Sequence, residues 1–188
     1  MWTAVGRCLL RKVKVLALPY KAKQEKKTDT VGLLISILVR YPEVATINFD
    51  PENHLLKFTF MYSQVLNEAE LDNLKTKLFD SIGVYNYLEG KETRHVSLSH
   101  QVCDDLTLIE VQRDVDTLAQ EEITLIVEMF HQYLNTNPVI EISEQMLEED
   151  LIAQEEFIEH MLESVKFSSQ DKYLVAFREE GRVLVFNK

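Results

Sequence analysis

Glycine, proline, cysteine and tryptophan are all scarce in this chain of 188 residues, numbering five, four, two and one. The scattered glycines form neither G-x-G-x-x-G nor G-x-x-x-x-G-K-[ST], which excludes the phosphate cradles built on those patterns. Cys8 and Cys103 lie far apart and make no C-x-x-C pair, which argues against a disulfide framework and for a reducing, cytoplasmic setting. The longest nearly unbroken apolar run, Val31 to Val39, is far short of the roughly 18 to 20 residues of a membrane-spanning helix. Arg7 and Arg11 flank no apolar h-region, so the marks of a secretory signal are missing and no membrane engagement is expected.

Positive charge is short in most of the chain and concentrated at one end. The net charge is −11, yet residues 1–28 carry eight basic groups against Glu25 alone, a local +7 that leaves −18 on the other 160 residues. Residues 1–28 are therefore expected to form a basic arm, with Lys12, Lys14, Lys21, Lys23, Lys26 and Lys27 as its interaction residues and an edge strand over Lys12–Leu18. Such an arm solubilises the acidic body or makes phosphate contacts.

Residues 29–188 read as one domain. Asp29 or Thr30 caps a helix built on Val31, Leu34, Ile35 and Leu38, and Pro42 ends it. Its narrow stripe of Gly32, Ser36 and Arg40 either admits a second helix closely or is the solvent-facing sliver of a core helix, and the sliver is the expectation.

Two strands follow, joined by Asp50-Pro51-Glu52-Asn53, with the proline setting φ and Asn53 tolerating a left-handed turn. A helix from about Asn67 to Ile82 closes the unit, stopped by Gly83. The pattern recurs. With an offset of 52, Leu66, Glu70, Leu71, Leu74, Leu78 and Ile82 fall on Leu118, Glu122, Ile123, Ile126, Phe130 and Leu134, which suggests a duplicated ββα unit spanning 44–82 and 96–134. The alternation in the second hairpin changes phase at Leu108-Ile109, the mark of a bulge or of a strand buried on both faces. Residues 143–188 add an acidic helix, capped by Ser143, and a hairpin in which Tyr173, Val175 and Phe177 face Val183 and Val185 across Gly181. The expected class is α+β: a largely antiparallel sheet built from hairpins, with helices packed on one face.

Chemistry-bearing residues are few. His95, His100, Cys103 and Asp105 gather on the second hairpin and include the ligand types zinc favours, or a thiol with a base. An odd separation sends His95 and His100 to opposite strand faces, and no second cluster completes four ligands. Glu128 and His131 have E-x-x-H spacing, but Glu156 and His160 miss the matching copy by one residue. Neither metal nor cofactor is implied. The chain is therefore expected to be a non-enzymatic cytoplasmic interaction or regulatory module that binds a protein partner or itself, with a homodimer suggested by the nearly all-apolar first helix. The alternatives are a nucleic-acid or ribosome-associated factor using the basic arm, and a small-molecule sensor or enzyme with a pocket between the repeated halves near His95, His100 and Tyr85.

Overall fold

The computed structural model describes residues 28–134, 148–167, 172–179 and 181–187. The basic arm from Lys12 to Lys27 and the cap residue Ser143 lie outside the described residues. The described elements run α1 (Thr28–Arg40), β1 (Val44–Asp50), β2 (Leu55–Tyr62), α2 (Glu68–Leu88), β3 (Val96–Cys103), β4 (Leu106–Asp114), α3 (Gln120–Leu134), α4 (Glu148–Lys166), β5 (Leu174–Glu179) and β6 (Arg182–Asn187). The six strands form one antiparallel sheet in the order β3-β4-β2-β1-β5-β6. The class is α+β, as the hairpin pattern implies.

Strand alternation builds the core. Ile47 and Phe49 of β1, Phe58 and Phe60 of β2, Ile109 and Val111 of β4 and Ala176 of β5 share one sheet face. Over them close Leu34 and Ile37 of α1, Leu74 and Leu78 of α2, Ile126 and Phe130 of α3, and Ile158 and Leu162 of α4, in a single buried cluster. Phe60 and Phe130 stack with ring centroids 3.9 Å apart, tying α3 to the middle of the sheet. Burying each such side chain contributes roughly 1.5 to 3 kcal/mol, so this layer holds the helices on the sheet.

The stripe on α1 meets the chain's own α4. A Cβ on Gly32 would stand 3.6 Å from the Met161 sulfur, the Ser164 hydroxyl donates to the Asp29 carboxylate, and Arg40 donates to Glu155 through Nε at 3.0 Å. Residue numbers rise along α1 as they fall along α4, so the two helices run antiparallel. The expected solvent-facing sliver is thus an intramolecular helix seam: glycine lets α4 approach, and sheet and α4 together cover the apolar faces of α1 except for Ile35 and Val39, which stay exposed.

Other departures have local causes. Gly83 does not end α2. The helix runs on to Leu88, caps at Glu89, and places Gly90 at φ +67°, the left-handed position that suits glycine. In the first turn His54 takes the positive φ of 55°, whereas Asn53 donates to Asp50 through its backbone at 3.2 Å and its side chain at 3.0 Å. Pairing along β4 is unbroken on both sides, so the phase change at Leu108-Ile109 marks a strand buried on both faces. In the last hairpin Glu179 pairs with Arg182, which sets Val175 against Phe186 and Phe177 against Leu184 rather than against Val183 and Val185. The Phe177 and Phe186 rings stack at 5.4 Å.

The strand order places β2 and β4 side by side, each flanked by its hairpin mate, as a local twofold through two ββα units requires. The offset of 52 cannot hold in the strands. Pairing joins Phe58 with Val111 and Phe60 with Ile109, so even residues of β2 and odd residues of β4 share a face. Equivalent strand positions therefore differ by an odd number. An offset of 51 places Phe58 on Ile109 and Phe60 on Val111, and the helices resume at 52.

Candidate functional site

The densest polar grouping lies at the end of the sheet where β4 leaves for α3. Arg113 follows Ile109 and Val111 on the helix-facing side of β4, so strand geometry drives its side chain into the core, where it is 0% exposed. Glu122 stands between Leu118 and Ile126 on the apolar face of α3 and is also 0% exposed. The two meet in a fork: Arg113 Nε donates to Glu122 Oε1, and Nη2 donates to Oε2 at 3.0 Å.

The remaining guanidinium hydrogens are used as well. Nη1 donates to the His95 carbonyl at 2.6 Å and to Asp114 Oδ1, and Nη2 donates to Thr117 Oγ1 at 3.1 Å. Burial acts to discharge Arg113, but the hydrogen bonds and charges of Glu122 and Asp114 outweigh it and raise its pKa. Burial likewise acts to raise the Asp114 carboxyl, yet Thr117, the His95 backbone N–H at 2.8 Å and Arg113 hold it below the usual carboxylate range. Asn86, in the last turn of α2, donates to Glu122 Oε2 at 2.9 Å and to the Ile82 carbonyl at 3.0 Å. Its Oδ1 and the Nε2 of His95 are buried without a hydrogen-bond partner.

Toward the surface, Asp116 accepts from Arg94 at 2.5 Å and meets His54 Nδ1 at 2.8 Å. Nearby, Tyr85 is pushed up to about 12 by burial and by the charges of Glu121, Glu89 and Glu122. The pair of His54 and Asp116 orients an imidazole, as a general base requires, but among the described residues no hydrogen bond joins that ring to a nucleophilic side chain. The group as a whole clamps β3, β4, α2 and α3 together.

The residues singled out on the second hairpin do not converge. His95 precedes β3 beside Asp114, whereas Cys103 and Asp105 lie at the opposite end, about 26 Å away at ~3.3 Å per residue. His100 sits midway on β3, exposed and opposite Ile109. Cys103 is engaged in a disulfide and is no free thiol, against the expectation of unpaired cysteines; Cys8, the other cysteine of the chain, lies outside the described residues. No group of three or more metal-ligating side chains occurs among the described residues.

A shallow, open groove of about 500 Å³ does run between α2 and α3, lined by Lys77, Asp80, Ser81, Met129 and Gln132. It lies between the repeated halves, but none of His95, His100 and Tyr85 lines it. Among the described residues no helix is long and apolar enough to cross a membrane.

Arg113 and Glu122 were open to detection in the sequence. One arginine keeps the two-residue rhythm of Ile109 and Val111, and one glutamate interrupts the four-residue rhythm of Leu118, Ile126 and Phe130. Two opposite charges on faces that must both be buried can only be partners. Comparison with protein-family models, curated proteins and solved structures finds no match for this chain.

Proposed function

We propose that this chain is a non-enzymatic interaction module that takes up an extended protein segment along β3. The observation that carries this reading is the character of that strand. β3 ends the sheet, and Ser99, His100, Gln101 and Val102 are all exposed. Its sequence, VSLSHQVC, contains no lysine, arginine, aspartate, glutamate or proline. Soluble proteins commonly protect exposed edges with those residues, because an unprotected strand templates the pairing of another. The other edge strand, β6, begins at Arg182 and packs along α1.

A second feature supports the same reading. Val84, Tyr87 and Leu88, spaced for one helix face, are 59%, 83% and 75% exposed at the end of α2. Contiguous exposed apolar residues of this kind are typical of contact surfaces.

Panning a displayed library of extended peptides tests the proposal, with the His100→Pro variant as counter-selection. Proline at this outward-facing edge position removes one donor of the kind strand addition uses. Peptides with alternating apolar residues should be enriched on the native chain and lost on the variant. Equal enrichment on both proteins would count against β3 as the binding element.

A further inference from the structure

We infer that the segment taken up by β3 is β3 of a second copy, paired antiparallel about a twofold axis at His100. This rests on the reading of β3 as a binding edge and names its occupant. The Asp114 backbone N–H donates to the His95 carbonyl at 3.3 Å. In an antiparallel ladder the residues that bond to one neighbour alternate with those that turn away from it. Residues 95, 97, 99, 101 and 103 therefore direct their backbone groups to β4, and Val96, Leu98, His100 and Val102 direct theirs to the edge that no other described strand occupies.

Only pairings that match even residues with even residues can use those groups. Centring the axis on His100 satisfies this condition and sets Leu98 against Val102 of the second copy, and Val102 against Leu98. Both side chains lie on the helix-facing side of the sheet, since Leu98 pairs with Val111 and Val102 with Thr107. Leu98 already packs against the core, whereas Val102 is 46% exposed. The pairing would extend the apolar layer across the seam and make one continuous sheet of two six-stranded halves. In this register strand and edge complement themselves, as an isologous interface demands.

Charge favours the same occupant. The chain carries −11, yet the strand that would form the seam carries no acidic or basic residue other than His100, so two acidic bodies meet along neutral strips. Their residual repulsion is long-ranged and screened by salt. Self-pairing through β3 should therefore strengthen as salt is added. Association of the basic arm with an acidic body should weaken. A single strand pair buries less than the roughly 800 Å² per partner of a standard interface, so the pairing is expected to be weak, and about micromolar is the working constant for the test.

Sedimentation equilibrium of the full chain tests this directly. The expected result is a monomer–dimer equilibrium that tightens about threefold or more between ~0.02 and ~0.3 M salt. His100→Pro and Val102→Lys should each weaken it at least ~10-fold, the first by removing an edge donor and the second by placing two charges at the seam. Both substitutions are at exposed positions, and thermal melting and circular dichroism identify any variant that misfolds; the other variant then decides. A monomer up to ~100 μM, far above the working micromolar constant, would overturn self-pairing while leaving uptake of a foreign strand to the peptide selection. A dimer that weakens with salt, or that both folded variants leave unchanged, would overturn it too.

Discussion

Arg113 and Glu122 approach each other from a strand and a helix nine residues apart, and neither side chain retains any contact with solvent. The pair replaces what would otherwise be apolar contact at the rim of the core. Aligned at an offset of 51 in the strands and 52 in the helices, Arg113 falls on Tyr62 and Glu122 on Glu70. Glu70 remains at the surface, accepting from the Asn67 backbone N–H at 2.9 Å in a capping box. The two ββα segments therefore differ at a buried ion pair found in one of them, between β4 of the second hairpin and α3.

Breaking this pair from one side should be costlier than removing it whole. Glu122→Ala leaves a buried guanidinium with Asp114 as its remaining counter-charge and two of its donors unpaired, and should cost about 3 kcal/mol in urea unfolding. Replacing Arg113 by Met and Glu122 by Leu together should recover part of that loss but not all of it, because Asp114, the His95 carbonyl and Asn86 lose hydrogen bonds with the pair. A loss in the double variant equal to the sum of the two single losses would show that the pair is not acting as a unit.

Acid should weaken the same corner. The Asp114 carboxyl is held below its unfolded value, so its contribution is present above the unfolded pKa of about 3.9 and is lost as pH falls through the folded one. Urea midpoints measured from neutral pH downward should fall steeply below about pH 4, and Asp114→Asn should flatten that limb. Asp50, lowered despite burial by Asn53 and Lys57, adds to the limb that remains.

Both helical glycines should gain from an added methyl group, and Gly32 should lose from a larger side chain. An added Cβ at Gly83 meets nothing within 4 Å and at Gly32 only an ordinary 3.6 Å contact, so Ala at either position should stabilise by about 0.5 to 1 kcal/mol. Gly32→Leu should instead cost about 1 to 3 kcal/mol by separating α1 from α4. Thermal unfolding of the three variants reads both effects.

Cys103 should resist alkylation until it is reduced. Protein denatured without reductant and treated with iodoacetamide should show an unmodified Cys103 peptide only after later reduction, read by mass spectrometry. Direct labelling of the unreduced protein would exclude the disulfide.

What could be read from the sequence follows from which forces are local. The apolar stripe of Leu71, Leu74, Leu78 and Ile82 was legible because helical period and burial agree, and all four side chains are in the core. Gly83 was misleading because glycine ends a helix only where the chain must turn; tertiary contacts, including those of Asn86, carry α2 onward. The partners of Val175 and Phe177 depended on the turn at 180–181, where shifting the register by one exchanges every facing residue. The covering of Gly32 by Met161 depended on a helix more than a hundred residues later, which no local pattern encodes. The hairpin histidines and Cys103 attracted notice by residue type alone, and strand extension spreads them along the sheet.

The sheet order also dictates a schedule for synthesis. β1 pairs with β2 at once, but its other side waits for β5, and α1 waits for α4. Until residues 174–179 have been made, Ile47 and Phe49 belong to an uncovered edge, and the seam face of α1 has no partner. A chain halted before that point would hold β3, β4, β2 and β1 with two open borders, a form prone to aggregate. The final hairpin thus gives β1 its second neighbour only once residues 174–179 have been made.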